Sequence, residues 1–279
     1  MRIPPRYTQA AAIGMLGAAT LLTLAVLAFI IVFVLDKGLP MVTWTFLSSD
    51  PEDMGRAGGI LPIIVGTLLL PLLALAIALP LGVGTAVYLC EYTRETRMTR
   101  VIRFGTDCLA GIPSILFGLF GLVFFVGILH MGWSLLSGGL TLAIMILPTI
   151  IRTSEEAIRA VPCAFREVSC SMGATRWETV RRVVLPNALP GIVTGVMLGA
   201  GRCISETAAV IFTAGTVANM PASAFDSVRT MAVHFYILAR EGISNEKAYG
   251  TAAVLILAVL LMNLSAYWML HAFIRRRAR

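Results

Sequence analysis

Charged residues are scarce in this sequence, and their scarcity excludes most soluble proteins. Asp, Glu, Lys and Arg make up 13% of the 279 residues, whereas soluble domains carry about a quarter. Apolar side chains make up 58%, and the mean hydropathy is +0.86. The same composition excludes a disordered chain, a collagen-like repeat and a small disulfide-stapled domain. The composition therefore predicts a membrane protein.

Catalytic and metal-binding motifs are also absent. The sequence has neither the G-x-S-x-G of a serine hydrolase nor the H-E-x-x-H of a zinc protease. Its five cysteines form no C-x-x-C pair, and its three histidines lie in separate segments. The two lysines, Lys37 and Lys247, each follow an acidic residue, so there is no phosphate loop ending in Gly-Lys-Ser/Thr. We therefore expect no catalytic site, no metal and no cofactor in this chain; if ATP drives it, another chain hydrolyses the ATP.

Six apolar runs are each long enough to cross a hydrocarbon layer about 30 Å thick. They are predicted at approximately 10–35, 60–90, 105–130, 135–155, 188–212 and 249–273. The first run is too long for the hydrophobic region of a cleaved signal peptide, so it is interpreted as a retained anchor helix. The predicted fold class is all-α, a polytopic membrane protein with six transmembrane helices.

The distribution of basic residues predicts the orientation of these spans. Of the 22 Lys and Arg, sixteen fall in the two tails and in the loops 91–104 and 152–187, five fall in the other loops, and Arg202 lies within a span. Because cytoplasmic segments retain positive charge during insertion, both termini are predicted to be cytoplasmic. The net charge of +7 then reflects contact with membrane lipid headgroups and not binding of nucleic acid. The predicted location is the cell membrane, which is the inner membrane if the organism has two.

The loop at 152–187 is long, and long loops in compact membrane domains are usually functional. Its stretches FREVSCSM and TRWETVRRV each suit a short helix, and Gly173 between them can adopt the positive φ that ends a helix. The loop is therefore predicted to project from the membrane as a helix-turn-helix with arginines on its polar surface. A basic amphipathic segment lying on lipid is the alternative, although it would not explain the break.

This loop resembles the EAA loop of permease subunits of ABC importers. The matching positions are Glu167, Gly173, Ala174, Leu185 and Pro186. The two alanines that usually follow the glutamate are replaced here by Val168 and Ser169. The resemblance implies that Glu167, Gly173 and Ala174 belong to a coupling helix that docks in a groove of the ATPase subunit.

Residues 60–215 are similar to the PstA-type permease subunits of phosphate ABC importers. The similarity is carried by IVGTLLLPLLALAIALPLGVGTAVYLCEY, LAGIPSILFGLFG, LPTIIRTSEEAIRAVP and ALPGIVTGVMLGAGRCISETAAVIFTAG. It implies a type I ABC importer permease fold, with an N-terminal anchor helix and first external loop at 1–59 and the transmembrane domain at 60–279. It also implies four partners besides lipid and phosphate: a second permease subunit of the PstC type, two ATPase subunits and an external phosphate-binding protein.

An ionisable pair in the fifth predicted span marks a candidate anion path. Arg202 and Glu206 are four residues apart, which places them on one helical face. A charged side chain within a membrane costs about 2.5–3.5 kcal/mol on insertion, so it normally faces a cavity or a partner. Thr207 adds a hydroxyl beside them, and the Arg-x-x-x-Glu-Thr-Ala pattern occupies this place in the resembled family. An ion pair that only locks helix packing is the alternative.

Arg152, Glu155 and Glu156 end the fourth span and form a candidate gate at the cytoplasmic exit. A salt bridge at the helix end, formed by pairing at i,i+3 and i,i+4, is the alternative. The proline-containing segments 111–114 and 147–149 are predicted to interrupt helices within the membrane. The external loop 213–248 is predicted to hold a short interfacial helix across 225–235 and to receive a substrate-binding protein or to pack across the mouth of the pathway.

These features together predict a permease subunit that moves inorganic phosphate inward by alternating access, with ATP hydrolysed by a separate subunit. A permease for another oxyanion and a passive anion channel remain as alternatives. A channel would have no use for a loop that binds an ATPase.

Overall fold

The computed structural model describes residues 5–277, and its regular elements are almost all helices. In chain order they are α1 (Pro5–Gly38), α2 (Trp44–Ser48), α3 (Leu61–Val87), α4 (Arg97–Ala110), α5 (Ser114–Gly121), α6 (Leu135–Arg159), α7 (Cys163–Ser171), α8 (Arg176–Thr179), α9 (Leu185–Ser205), α10 (Ala208–Thr213), α11 (Met231–Arg240) and α12 (Asn245–Arg277). A short antiparallel hairpin of β1 (Pro51–Glu52) and β2 (Ala57–Gly58) lies between α2 and α3. Turns of π-helix extend α3 to Tyr92, extend α5 to Ile128 and join α8 to α9. The predicted all-α class is confirmed.

Five helical stretches of the described chain are long and apolar enough to cross a membrane, and a bent pair of helices makes six if the pair is counted as one span. The bent pair is α4 followed by α5 and its π-helical extension, and the two parts meet at 99°. The third span predicted at 105–130 is therefore not one continuous helix, because the chain turns between Ala110 and Ser114. Pro113 explains the turn, since it lacks an N–H and disfavours helical geometry in the residue before it. The interruption predicted at 111–114 is thus confirmed.

The second predicted interruption, at 147–149, does not occur. α6 runs without a break through the buried Pro148. A proline in a membrane helix is tolerated where neighbouring helices surround it, and α6 packs on both α3 and α9. Tertiary packing therefore overrides the local preference of this proline.

The core is built around α6. Leu142, Ile146 and Ile150 of this helix are fully buried against Leu70 of α3 and Cys203 of α9. A second apolar cluster joins the ends of α3 and α6 to the start of α9; its buried members are Ala86, Val87, Ile158, Val161, Val180, Val184, Ala188 and Ile192. This cluster lies on the same side of the molecule as the connections 93–96 and 160–175. We call this side the basic side. The clusters hold α3, α6 and α9 together as one body.

α1 lies outside this core. It contacts α12 and leaves most of its apolar side chains exposed along its length. A helix that is apolar all round and unburied is typical of a lipid-facing span. The division of the chain into 1–59 and 60–279 stays a prediction.

The loop between α10 and α12 contains one helix, which starts later than predicted. α11 begins at Met231, and the residues from 214 to 230 follow an irregular path. The Thr230 side chain accepts a hydrogen bond from the backbone of Val233 and fixes the start of the helix. Phe225 and Val228 belong to the predicted helix 225–235 but lie outside the observed helix α11.

Glycine residues of α9 lie directly against side chains of α6. A Cβ on Gly195 would overlap Thr153 Oγ1 and would lie 2.9 Å from Thr153 Cβ. Small residues allow membrane helices to pack backbone against backbone. Gly195 therefore sets the spacing between two of the three core helices.

Replacing Gly195 with alanine should destabilise the protein, although alanine is the better helix former. The new methyl group must push α6 and α9 apart, and overpacking of this kind costs about 1–3 kcal/mol. Gly201 lies in the same helix with nothing within 4 Å of an added Cβ, so Gly201→Ala should keep or slightly raise stability. Thermal unfolding of the purified protein in detergent measures both effects. Equal melting temperatures for the two variants would contradict this packing.

Candidate functional site

The fifth predicted span, 188–212, is broken near its end. α9 stops at Ser205, and α10 begins only at Ala208. Glu206 between them has an extended backbone, with φ −75° and ψ 128°. An irregular segment at membrane depth is tolerated where it lines a cavity or is buried in protein. The break therefore marks a place where the helix bundle is adapted to function.

Side chains replace the backbone hydrogen bonds that are lost at this break. The Ser205 hydroxyl donates to the carbonyls of Gly201, at 2.9 Å, and Arg202, at 3.2 Å. Glu206 Oε1 accepts a hydrogen bond from the backbone N–H of Ala209 at 3.3 Å. A carboxylate at this position is favoured because the start of a helix carries partial positive charge.

The prediction that Arg202 and Glu206 share one helical face is wrong, because α9 ends between them. Both side chains are half-buried. Within residues 5–277, neither side chain takes part in an ion pair shorter than 4.0 Å. The alternative of a self-contained ion pair that locks the helix is therefore not supported. Arg202 lies in the last turn of α9, where its charge also offsets the helix dipole.

Thr207 lines a cavity of about 460 Å³ that α5, α10 and α11 enclose. Tyr236 and Arg240 of α11 line the same cavity, and Arg240 Nη1 donates to the Tyr236 hydroxyl at 2.8 Å. Arg202 and Glu206 are not among the lining residues. The structure thus brings Thr207 together with Arg240, which the sequence analysis missed. The usable signal was an arginine four residues after a tyrosine in an otherwise apolar helix.

Arg152, Glu155 and Glu156 lie at the basic-side end of α6, but their pairing differs from the prediction. Arg152 pairs with Glu156 at 3.4 Å, which is the predicted i,i+4 contact. Its second partner is Asp107 of α4, at 3.6 Å, and not Glu155. All of these side chains except Glu155 are about two-thirds exposed, so the pairs are worth little individually.

Glu155 belongs to a different and better shielded set of contacts. Its Oε1 accepts from Arg103 Nε and from Arg159 Nη2, both at 2.8 Å, and its side chain is 12% exposed. These ion pairs surround a cavity of about 190 Å³. In the sequence, Arg103 contributes only to the charge asymmetry, because no periodicity links residues that are 52 positions apart. The role of this cluster as a gate stays a prediction.

The loop at 152–187 breaks at Gly173, as predicted. Gly173 has φ +80°, and its N–H donates to the Cys170 carbonyl at 2.9 Å. The N–H of Ala174 donates to the Ser169 carbonyl at 3.2 Å. This pair of bonds is the Schellman motif that ends a helix with a left-handed residue. The end of α7 is therefore fixed by the backbone conformation of one glycine.

The predicted projecting helix-turn-helix is only half right. α7 is a separate helix, whereas α8 continues through a π-helical turn into α9 and forms the beginning of the fifth span. A capping box starts this long helix: Thr175 Oγ1 accepts from the Glu178 N–H, and Glu178 Oε2 accepts from the Thr175 N–H at 3.0 Å. α7 is thus the helix of this loop that is not continuous with a span.

α7 and the residue that follows it, Met172, present apolar side chains to solvent. Phe165, Val168 and Met172 are exposed at 47%, 63% and 84%, and their spacing places them on one side of the helix. Glu167 is exposed beside them. An exposed apolar patch outside the membrane core is typical of a surface that binds another protein.

His234 of α11 is buried on the side opposite the basic side. Its Nδ1 lies 3.3 Å from Arg229 Nη1, so Nδ1 accepts and the proton sits on Nε2. Burial lowers the pKa of His234 to about 3, and the charges of Arg229 and Lys247 add to this effect. Between pH 6.5 and about 3, His234 is therefore protonated in the unfolded chain and neutral in the folded protein. Stability contributed by this site falls as the pH drops below about 6.5.

Comparison with known proteins agrees with this architecture. A family model described as binding-protein-dependent transport system inner membrane component matches residues 78–279. The chain is 32% identical over 280 residues to the probable ABC transporter permease protein YqgI of Bacillus subtilis, with 95% of each chain covered. It is 35% identical over 230 residues to the phosphate transport system permease protein PstA 1 of Mycobacterium tuberculosis, covering 81% of this chain and 75% of that one. A bacterial alginate ABC transporter, solved with a pentasaccharide-bound periplasmic protein, has a similar fold with a TM-score of 0.67 at 16% identity, covering 94% of both chains.

The fold is that of a type I ABC importer permease. The chain belongs to the family of binding-protein-dependent transport system inner membrane components. It is therefore a multi-pass membrane subunit of an ABC transporter, a class in which a separate subunit hydrolyses ATP and a binding protein delivers the substrate. The resemblance found in the sequence is confirmed.

Replacing Gly173 with valine should weaken attachment of the ATPase subunit, whereas asparagine should be tolerated. Nothing lies within 4 Å of an added Cβ, so the effect comes from the backbone alone. The left-handed conformation costs a branched residue about 1–2 kcal/mol, and asparagine adopts it more readily. Recovery of the ATPase subunit with affinity-tagged permease measures the outcome, with membrane insertion of the permease as the control. Equal recovery with Gly173→Val and Gly173→Asn would show that the left-handed turn is unimportant for docking.

Proposed function

We propose that this chain is the permease subunit of an importer that carries inorganic phosphate across the cell membrane by alternating access, with ATP hydrolysed by separate subunits. The assignment of the substrate is supported by the relative from Mycobacterium tuberculosis, which is named for phosphate transport and is similar over most of the chain. The chain itself binds no cofactor in this proposal. ATP is bound by the partner subunits.

The observation within the molecule that carries the proposal is the burial of Arg202 without a charged partner. A half-buried guanidinium lies at a break in a membrane span, and the described residues give it no carboxylate partner within 4.0 Å. A charge left in this position needs a counter-ion, and a planar guanidinium matches two phosphate oxygens at once. The anion path therefore passes Arg202, where phosphate is held briefly during its passage.

Thr207 and Glu206 assist at the same break. The Thr207 hydroxyl lines the neighbouring cavity and can donate to a phosphate oxygen. Glu206 accepts a hydrogen bond from the first turn of α10 and thereby stabilises the break between α9 and α10. Its negative charge limits how strongly an anion binds beside Arg202, which favours release over retention.

The partners follow from the same proposal. A second permease subunit of the PstC type completes the pathway, two ATPase subunits bind on the basic side, and an external binding protein delivers phosphate from the opposite side. Sixteen of the 22 Lys and Arg lie in the two tails and in the loops 91–104 and 152–187. This distribution supports a cytoplasmic location for the basic side and for both termini. Glu167, Gly173 and Ala174 then form part of the surface that docks on the ATPase.

Arg152, Glu155 and Glu156 would close the pathway on the cytoplasmic side. The ion pairs of this cluster join α6 to α4, so they can exchange partners when α6 moves. The exposed pairs are weak enough to break during each transport cycle. A passive anion channel would need none of these features on the basic side and is not favoured.

Uptake of phosphate by the reconstituted complex tests the substrate. The permease, its partner subunits and the binding protein are placed in vesicles with ATP available to the ATPase subunits, and labelled phosphate is followed. We expect ATP-dependent uptake that excess unlabelled phosphate suppresses and excess sulfate does not. Equal suppression by sulfate would favour a permease for oxyanions in general.

Replacing Arg202 with glutamine should sharply lower uptake, and Arg202→Lys should restore it only in part. Glutamine removes the charge, whereas lysine keeps a charge but cannot bind two oxygens in one plane. Loss of a charged hydrogen bond corresponds to about 1.5–3 kcal/mol, or roughly a tenfold to hundredfold lower rate. The matched control is Arg56→Gln, because Arg56 is exposed outside the spans. Unchanged uptake in Arg202→Gln would mean that Arg202 serves helix packing and that the anion path lies elsewhere.

A further inference from the structure

Arg166 joins three separate parts of the basic side. It lies in α7, directly before the exposed Glu167, and its guanidinium points back toward the membrane helices. Nη2 donates to the Ile158 carbonyl in the last turns of α6 at 2.9 Å, and Nη1 donates to the Val161 carbonyl at 2.7 Å. These two bonds tie α7 to the end of α6.

The third partner of Arg166 is Glu91, at the end of α3. Nη2 lies 2.7 Å from Glu91 Oε1, and Nε lies 3.0 Å from the same oxygen and 3.3 Å from Oε2. The two residues are 75 positions apart in the chain. Glu91 belongs to the π-helical turn Tyr88–Tyr92, which extends the core helix α3. The ion pair is therefore a direct link between the loop helix and the core.

This ion pair is better shielded than the exposed pairs at the end of α6. Its side chains are 22% exposed for Arg166 and 13% for Glu91, against 67% and 68% for Arg152 and Glu156. Hydrogen bonding to Glu91 raises the pKa of Arg166, in keeping with a guanidinium held by its carboxylate. Ion pairs of this geometry are directional, because two planar groups meet along more than one bond. A displacement of α7 cannot leave Glu91 unaffected.

We propose that the Arg166–Glu91 pair is the joint through which movement of α7 is transmitted to α3 and hence to the core. The inference rests on the proposed function, in which α7 docks on an ATPase subunit. α3 packs along α6 and contributes to both apolar clusters, so a pull on its end reaches the helices that surround the break at Glu206. Arg166 acts through Glu91 and the backbone of α6, and it is a positioning residue.

A purely stabilising role is the competing explanation, and it predicts a different result. If the pair only holds the loop in place, its loss lowers the amount of assembled complex, while each assembled complex still imports the same amount of phosphate per ATP. If the pair transmits movement, assembled complexes hydrolyse ATP but import less phosphate per ATP. The ratio of phosphate imported to ATP hydrolysed therefore separates the two roles.

The test uses the full importer in vesicles, with assembled complex quantified by the ATPase subunit that co-purifies. Glu91→Gln removes the charge and keeps one acceptor oxygen, and Arg166→Gln removes the fork of donors. Glu95→Gln is the matched control for the first variant, since Glu95 is 78% exposed and pairs with Arg103 of α4 and not with an arginine of α7. Arg100→Gln, on the exposed surface of α4, is the control for the second.

We expect the phosphate-to-ATP ratio to fall about threefold to tenfold in Glu91→Gln and in Arg166→Gln, a range typical of residues that couple two sites. The double variant should show no loss beyond that of Arg166→Gln alone, because the contribution of Glu91 requires Arg166. The two controls should keep the wild-type ratio. An unchanged phosphate-to-ATP ratio in Glu91→Gln would overturn the proposal that this ion pair is the joint. Additive losses in the double variant would overturn it as well.

Failure of the proposed substrate gives a different pattern. A wild-type complex whose ATP hydrolysis responds to a binding protein without any phosphate uptake would overturn phosphate as the cargo. Stimulation of ATP hydrolysis by the binding protein is a second measure of the joint that does not depend on the cargo. Glu91→Gln should lose most of this stimulation while Glu95→Gln retains it, and equal stimulation in both would overturn the joint on its own.

Discussion

The architecture depends on the requirement that every backbone N–H and C=O group in the hydrocarbon layer be hydrogen-bonded within the protein. Long helices satisfy the requirement by themselves, and each departure from a helix needs a substitute donor or acceptor. At the end of α9, the Ser205 hydroxyl and the Glu206 carboxylate supply these groups. The break is therefore built from side chains that solve a hydrogen-bonding problem, and it leaves Arg202 half-buried with no carboxylate partner among the described residues. Structure and function share the same residues because a membrane provides no water to repair an unplanned break.

Much of the fold could be predicted because it follows from composition and spacing. Apolar length located the spans, and Gly173 was recognised as a helix end, since a left-handed residue is a local property of the sequence. The bend at Pro113 and the continuity at Pro148 could not be told apart, because both prolines look alike locally. What distinguishes them is tertiary: Pro148 is buried between packed helices, whereas the peptide before Pro113 lies at a 99° corner.

The site was predicted less well, and the reason is also physical. The pairing of Arg202 with Glu206 assumed a continuous helix, and one extended residue at position 206 removed that geometry. Arg103 with Glu155 and Arg166 with Glu91 are separated by 52 and 75 residues, so no periodicity reveals them. The residue types of the site could be read from the sequence. The ion-pair partners of these residues could not be predicted, because they depend on how the ends of α3, α4 and α6 meet on the basic side.

The degree of burial explains why a transporter would place its joint at the edge of the membrane core. An ion pair that is two-thirds exposed, such as Arg152 with Glu156, is worth at most about 1 kcal/mol and transmits little force. A fully buried pair would transmit force well, but breaking it would cost about 3–5 kcal/mol and would slow every cycle. Arg166 and Glu91 lie between these limits, shielded enough for a directional bond and close enough to water for the loop to be released. In the proposed joint, the apolar cluster of α3, α6 and α9 needs no charge of its own, because its packed side chains carry a displacement from one helix to the next.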